Sequence, residues 1–184
     1  MISLQIQFDQ NQMERAEAAL NGIKNGTPRA LTRAINRTVS YGKTLSKKLI
    51  REEYTINAQA VTRATTTEKA SQSSLRGVIR FKGRPKQLRN FSKRSTSKGV
   101  AVAVKRSGGG KLIPRSFIRS VNSGPAVLRR VGAARYPIEV LHGPSVPQMA
   151  GNVNVEPRIR TKVQEKLEER MEHEVDAILR GYVR

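Results

Sequence analysis

The sequence predicts an α+β fold. A twisted antiparallel sheet is drawn from residues 1–8 and 65–131 and packs on a long helix over 28–54, with a C-terminal helix at an edge or a subunit interface. Three observations predict it. The first residues alternate apolar and polar at the period of a strand. Two long segments repeat apolar residues at helical spacing. The stretch between them is cut by glycine and proline into short runs that favour strands. At 184 residues the chain is the size of one domain. We read 1–155 as a basic α+β domain and 156–184 as a C-terminal helix that belongs to it or serves as an interface arm.

Ile2, Leu4, Ile6 and Phe8 alternate with Ser3, Gln5 and Gln7, which predicts a half-buried first strand. Residues 9–24 follow as a helix with Asp9 as N-cap and Met13, Ala16, Leu20 and Ile23 on one face, closed by Gly22 and Gly26. Thr27 and Pro28 suit the start of the next helix, which carries Leu31, Ala34, Ile35, Val39, Leu45 and Leu49 as an apolar stripe. Arg29, Arg33 and Arg37 line up on another face of it, either as a solvated row or as a contact surface.

Thr55–Ala64 reads as a loop and short helix, and 65–67 and 75–81 as strands. Residues 86–98, basic and rich in Ser and Thr, have the composition of a mobile loop. Val100–Val104 pairs across the Ser107–Gly110 turn with Leu112 and Ile113 as a hairpin, and Ala126–Val131 forms a further strand. Tyr136-Pro137-Ile138 and Gly143-Pro144 are expected to be rigid turns. The C-terminal helix places Ile159, Val163, Leu167 and Met171 in one apolar seam, predicted to lie against protein and taken as an interface with a neighbouring subunit.

Charge is the strongest compositional signal. Lys and Arg total 35 against 14 Asp and Glu, a net charge of +21. A charge of this size repels itself in a compact state and draws polyanions by Coulomb steering and counterion release. It is also uneven: 18 basic residues and no acidic one fall between Lys69 and Ile138, whereas 156–184 holds 7 of each sign. The basic centre is therefore the expected polyanion contact, through Arg84, Lys86, Arg89, Lys93, Arg94, Lys105 and Arg106. Hydrophobic residues make up 37% of the chain and aromatics 4%, a thin core that favours oligomerisation.

Catalytic and cofactor chemistry find little support. Without cysteine there is no disulfide, thiolate metal site or cysteine nucleophile. His142 and His173 lack partners at metal-ligand spacing. Gly110-Lys111 only superficially resembles the end of a phosphate-binding loop, because Lys105 stands where its first glycine belongs and Leu112 replaces Ser or Thr. The acid-free centre cannot supply the paired carboxylates of a nuclease. We expect no catalytic, cofactor or metal residues, no signal peptide and no membrane span, which would need roughly 18 apolar residues.

Arg115-Ser-Phe-Ile118, the run Val131-Gly-Ala-Ala-Arg135-Tyr-Pro-Ile138 and the following Gly143-Pro-Ser-Val-Pro147 resemble the minor tail protein Z family of tailed phages and prophages. Ala30-Leu-Thr-Arg33-Ala-Ile-Asn-Arg37 resembles its early helix, so the resemblance spans roughly 27–150. It implies a non-enzymatic virion protein of tail completion near the head–tail junction, assembled in the host cytoplasm. Its expected form is a homo-oligomeric ring of sixfold symmetry. Expected partners are other tail and neck proteins together with phage DNA or the tape-measure end. The alternative from composition alone is a free, non-specific nucleic-acid-binding protein.

Overall fold

The computed structural model describes residues 1–121 and 124–181, with the side chain of Val121 set aside. Along the chain the helices are α1 (Gln10–Ala19), α2 (Gly26–Glu53), α3 (Ala58–Arg63), α4 (Val146–Ala150) and α5 (Glu156–Leu179). The strands are β1 (Ile2–Ile6), β2 (Thr65–Glu68), β3 (Gly77–Phe81), β4 (Lys86–Gln87), β5 (Ser92–Thr96), β6 (Gly99–Ala103), β7 (Lys111–Pro114), β8 (Ser116–Val121), β9 (Gly124–Arg130), β10 (Ile138–Val140) and β11 (His142–Gly143). The α+β class is as predicted, with all strand pairs antiparallel and distributed over four small sheets. The chain divides into two compact units: 1–46, 65–81 and 156–184 in the first, 47–64 and 82–155 in the second. Residues 182–184 lie outside the described residues.

The first unit is a sheet of order β1-β3-β2 with helices on it. Leu4 pairs with Ile79 and Ile6 with Gly77, so the alternation at the N-terminus puts Leu4 and Ile6 inside and Gln5 outside. Two glycines allow close packing against α2. A Cβ on Gly77 would collide with the Val39 and Ile35 methyls, and one on Gly42 would come 2.7 Å from Ile79 and 3.2 Å from Val163. The α1 start matches its prediction: Asp9 Oδ1 accepts from the Gln12 N–H at 2.7 Å, and Gln12 Oε1 accepts from the Asp9 N–H at 3.1 Å, a reciprocal cap.

The second unit holds the sheets β5-β6-β7 and β10-β9-β8 and the short pair β11-β4. The predicted hairpin forms between β6 and β7, with Val100 opposite Ile113 and Val102 opposite Lys111. Residues 86–98 depart from the loop expectation. They form β4, a 3-10 turn at Leu88–Asn90, and β5 paired along its length with β6. Burial of Leu88 and Phe91 anchors the run, and its polar residues are those of a strand that faces solvent. The 116–121 stretch was not foreseen as a strand, yet β8 pairs with β9, Phe117 opposite Leu128. The proline-rich 144–150 stretch forms α4, where Ser145 and Gln148 make a second reciprocal cap and Pro147 sits in the first turn. Val146, Met149, Ala150 and Val155 are all buried.

Candidate polyanion interface

All seven residues expected to meet a polyanion fall in the second unit. Arg84 and Arg94 are exposed, and Lys86, Arg89 and Lys93 are half-buried. Lys93 Nζ donates to the Arg89 backbone carbonyl at 3.0 Å, which ties the Lys93 side chain of β5 to the 3-10 turn. Arg94 stands opposite Ala101 in the β5–β6 ladder.

Lys105 and Arg106 are engaged differently. Arg106 donates its backbone N–H to the Glu53 carbonyl at 2.9 Å and its Nε to the Arg51 carbonyl at 2.8 Å. Both acceptors belong to the last turn of α2, whose carbonyls have no helical partner and carry the negative end of the helix dipole. Lys105 lies 3.3 Å from the Glu53 carboxylate and over the Tyr54 ring. The pair therefore fastens the end of α2, and its charge is partly matched within the unit. Tyr54 is held above the ordinary tyrosine value of 10.0, mainly because burial disfavours the phenolate and in part because of Glu53; Lys105 and the Asn152 hydrogen bond pull the other way.

The structure also assembles three basic residues that are not among the expected polyanion contacts. Lys98, Arg115 and Arg130 line a cleft of about 600 Å³ with Phe117, Ser95, Ser97 and Gly132, and no acidic residue is on its wall. Arg115 holds a left-handed backbone at φ 58 in the turn between β7 and β8, a conformation no sequence pattern announces for arginine. Arg129, the neighbour of Arg130 on β9, is ion-paired with Glu139 through a 2.7 Å hydrogen bond from its Nε.

In the first unit the arginine row on α2 has an internal role. Arg33 Nε and Arg37 Nε lie 3.1 and 2.7 Å from the two carboxylate oxygens of Glu174, whose side chain is 2% exposed. The apolar seam Ile159, Val163, Leu167 and Met171 is buried in this unit, with Val163 against the Gly42 position of α2 and Met171 bordering the same hollow as Ala16 of α1. Leu20, Ala30 and Ile178 close the far end, with Val175 packed against them. The seam expected to meet a neighbouring subunit is thus already covered by its own chain.

Among the described residues no group of three or more His, Asp or Glu comes together as a metal site. His142 is exposed in β11, its backbone paired with Gln87. Among the described residues no helix is long and apolar enough to cross a membrane.

The family model described as Prophage minor tail protein Z (GPZ) matches residues 12–184. The chain belongs to this family. No curated protein and no solved structure matches it. Membership in the prophage minor tail protein Z family gives the chain a structural role in a phage tail, a location in the virion tail and other tail proteins as partners. The match takes in α5, beyond the residues that carried the resemblance in the sequence.

Proposed function

We propose that the protein is a tail completion component of the head–tail junction. In this reading it assembles as a homo-oligomeric ring whose basic face meets the DNA end, the tape-measure end or both. The observation that carries this reading is the charge of the second unit, where 19 basic residues stand against 3 acidic ones. An isolated surface with such an excess repels itself, and a phosphate backbone would relieve that repulsion while releasing its condensed counterions. Arg84, Lys86, Arg89, Lys93 and Arg94 are the first contacts in this proposal. Lys105 and Arg106 contribute less, because they also hold the end of α2. Ring contacts would use surfaces other than the seam at Ile159–Met171, which is buried in the chain itself.

Salt dependence of duplex binding is the test. The chain should bind duplexes of unrelated sequence with similar affinity and a steep fall with salt. Replacing Arg89, Lys93 and Arg94 with Ala should flatten the slope of log affinity against log salt by roughly 2–3, at about 0.9 per phosphate contact. An unchanged slope, alongside particles that still fail to join heads to tails, would assign this face to protein contacts instead.

A further inference from the structure

The cleft between the turns of the second unit is a different kind of surface from the run at 84–94. Lys98 comes from the β5–β6 turn, Arg115 from the β7–β8 turn and Arg130 from the end of β9. None of the three has a carboxylate within ion-pair distance among the described residues. Arg129 projects to the opposite face of β9, as strand neighbours do, and is paired with Glu139. Of the two β9 arginines, the one without an ion pair is therefore on the cleft side.

Phe117, half-exposed, adds an aromatic face, and the Arg130 guanidinium lies 5.6 Å from its ring centre. Such a ring and guanidinium form a platform on which a nucleobase stacks. Ser95 and Ser97 bring hydroxyls to the wall. The position of Arg115 is informative as well: a left-handed turn suits Gly or Asn, and strain of this sort gathers at binding sites. The volume of about 600 Å³ lies in the roughly 300–1,000 Å³ range of ligand pockets. That is the size of a nucleotide unit and far too small to take in a duplex, which is broader than its own major groove of about 12 Å.

We propose that this cleft takes one nucleotide of a single nucleic-acid strand, its phosphate between Lys98 and Arg115 and its base against the Arg130–Phe117 stack. The proposal rests on the reading of the second unit as a polyanion surface, but it uses none of the residues assigned there to duplex phosphate. It favours nucleic acid over an acidic peptide because a carboxylate would engage the cations and leave the ring unused.

The experiment compares binding of a short fluorescent oligothymidylate and a fluorescent duplex to the full-length chain by anisotropy. Gly132→Glu puts a carboxylate into the cleft at a position where a Cβ meets nothing within 4 Å. Arg115→Asn with Arg130→Gln removes two cations and keeps a residue suited to the left-handed turn. Each variant should weaken strand binding about tenfold or more, the size of losing a stacked base and its phosphate contact, and should leave duplex binding nearly unchanged. Should circular dichroism find either variant unfolded, Lys98→Gln at the exposed turn replaces it under the same criteria. Three results overturn the proposal: strand affinity that does not change, strand and duplex affinities that fall together, or polyglutamate that displaces the strand as well as unlabelled oligothymidylate does. Failure of the duplex reading has a separate signature, the unchanged salt slope of the Arg89, Lys93 and Arg94 variant.

Discussion

The two units differ most in what becomes of their charge. The first has 16 basic and 11 acidic residues, and five of its carboxylates pair with its own cations: buried Glu174 with Arg33 and Arg37, Glu68 with Arg80, and Glu156, Glu169 and Asp176 with basic neighbours along the surface of α5. The second has only 3 acidic residues for 19 basic ones, and Glu53 and Glu139 are already paired with Lys105 and Arg129. Charge is largely balanced within the first unit and strongly unbalanced in the second. Stability and binding should accordingly respond to different substitutions.

The largest effect should come from the α5 seam. Leu167 is 1% exposed, and Leu167→Ala should lower unfolding free energy by about 2–5 kcal/mol in urea titration, the range for cavities of this kind. A cost below about 1 kcal/mol would mean that α5 is not part of this core. Glu174→Gln should cost less, about 1–3 kcal/mol, because the half-exposed Arg33 and Arg37 can recover water while the buried end loses its ion pairs. No loss at all would break the contrast on the side of the first unit.

A smaller effect belongs to Tyr54. Its folded-state pKa is raised, so the folded chain holds the phenolic proton more tightly than the unfolded chain does. That contribution is complete below 10.0, the ordinary tyrosine value, and is lost as pH rises through the folded-state value. Wild type should lose stability more steeply above this pH than Tyr54→Phe, as followed by urea midpoints; parallel curves would refute the assignment. Smallest of all, Arg84→Ala and Arg94→Ala should alter unfolding by no more than about 0.5 kcal/mol, since both side chains are exposed. Their effect should appear in duplex binding alone, which sharpens the contrast from the second unit.

What was legible in the sequence followed from local rules. Alternation at Ile2–Ile6, the Asp9 cap and the heptad-like seam each depend on residues a few positions apart, and all three hold in the structure. The 86–98 run and β8 were missed because a strand that faces solvent looks like a loop until its partner is known, and the partner of β5 is set by pairing with β6. Distance in sequence hid the rest. Glu174 meets arginines of α2 from the other end of the chain, and the cleft brings together segments around Lys98, Arg115 and Arg130 that are distant in sequence. Of the basic residues chosen from sequence, Arg84 and Arg94 are exposed and Lys86, Arg89 and Lys93 half-buried, while Lys105 and Arg106 have a helix terminus to hold, which charge counting cannot reveal.

The first unit is assembled from stretches at both ends of the chain. Gln12 on α1 donates to Glu168 on α5, and Val163 reaches the Gly42 position of α2 only after the whole 82–155 stretch has intervened. On the ribosome, β1, α1 and α2 therefore emerge long before the helix that covers them, at roughly 5–20 residues per second. Contacts this distant in sequence also slow the search for the native arrangement. Through that interval the nascent chain carries an uncovered apolar face beside a growing cationic segment, so its exposure to chaperones and to cellular RNA is greatest before α5 is made.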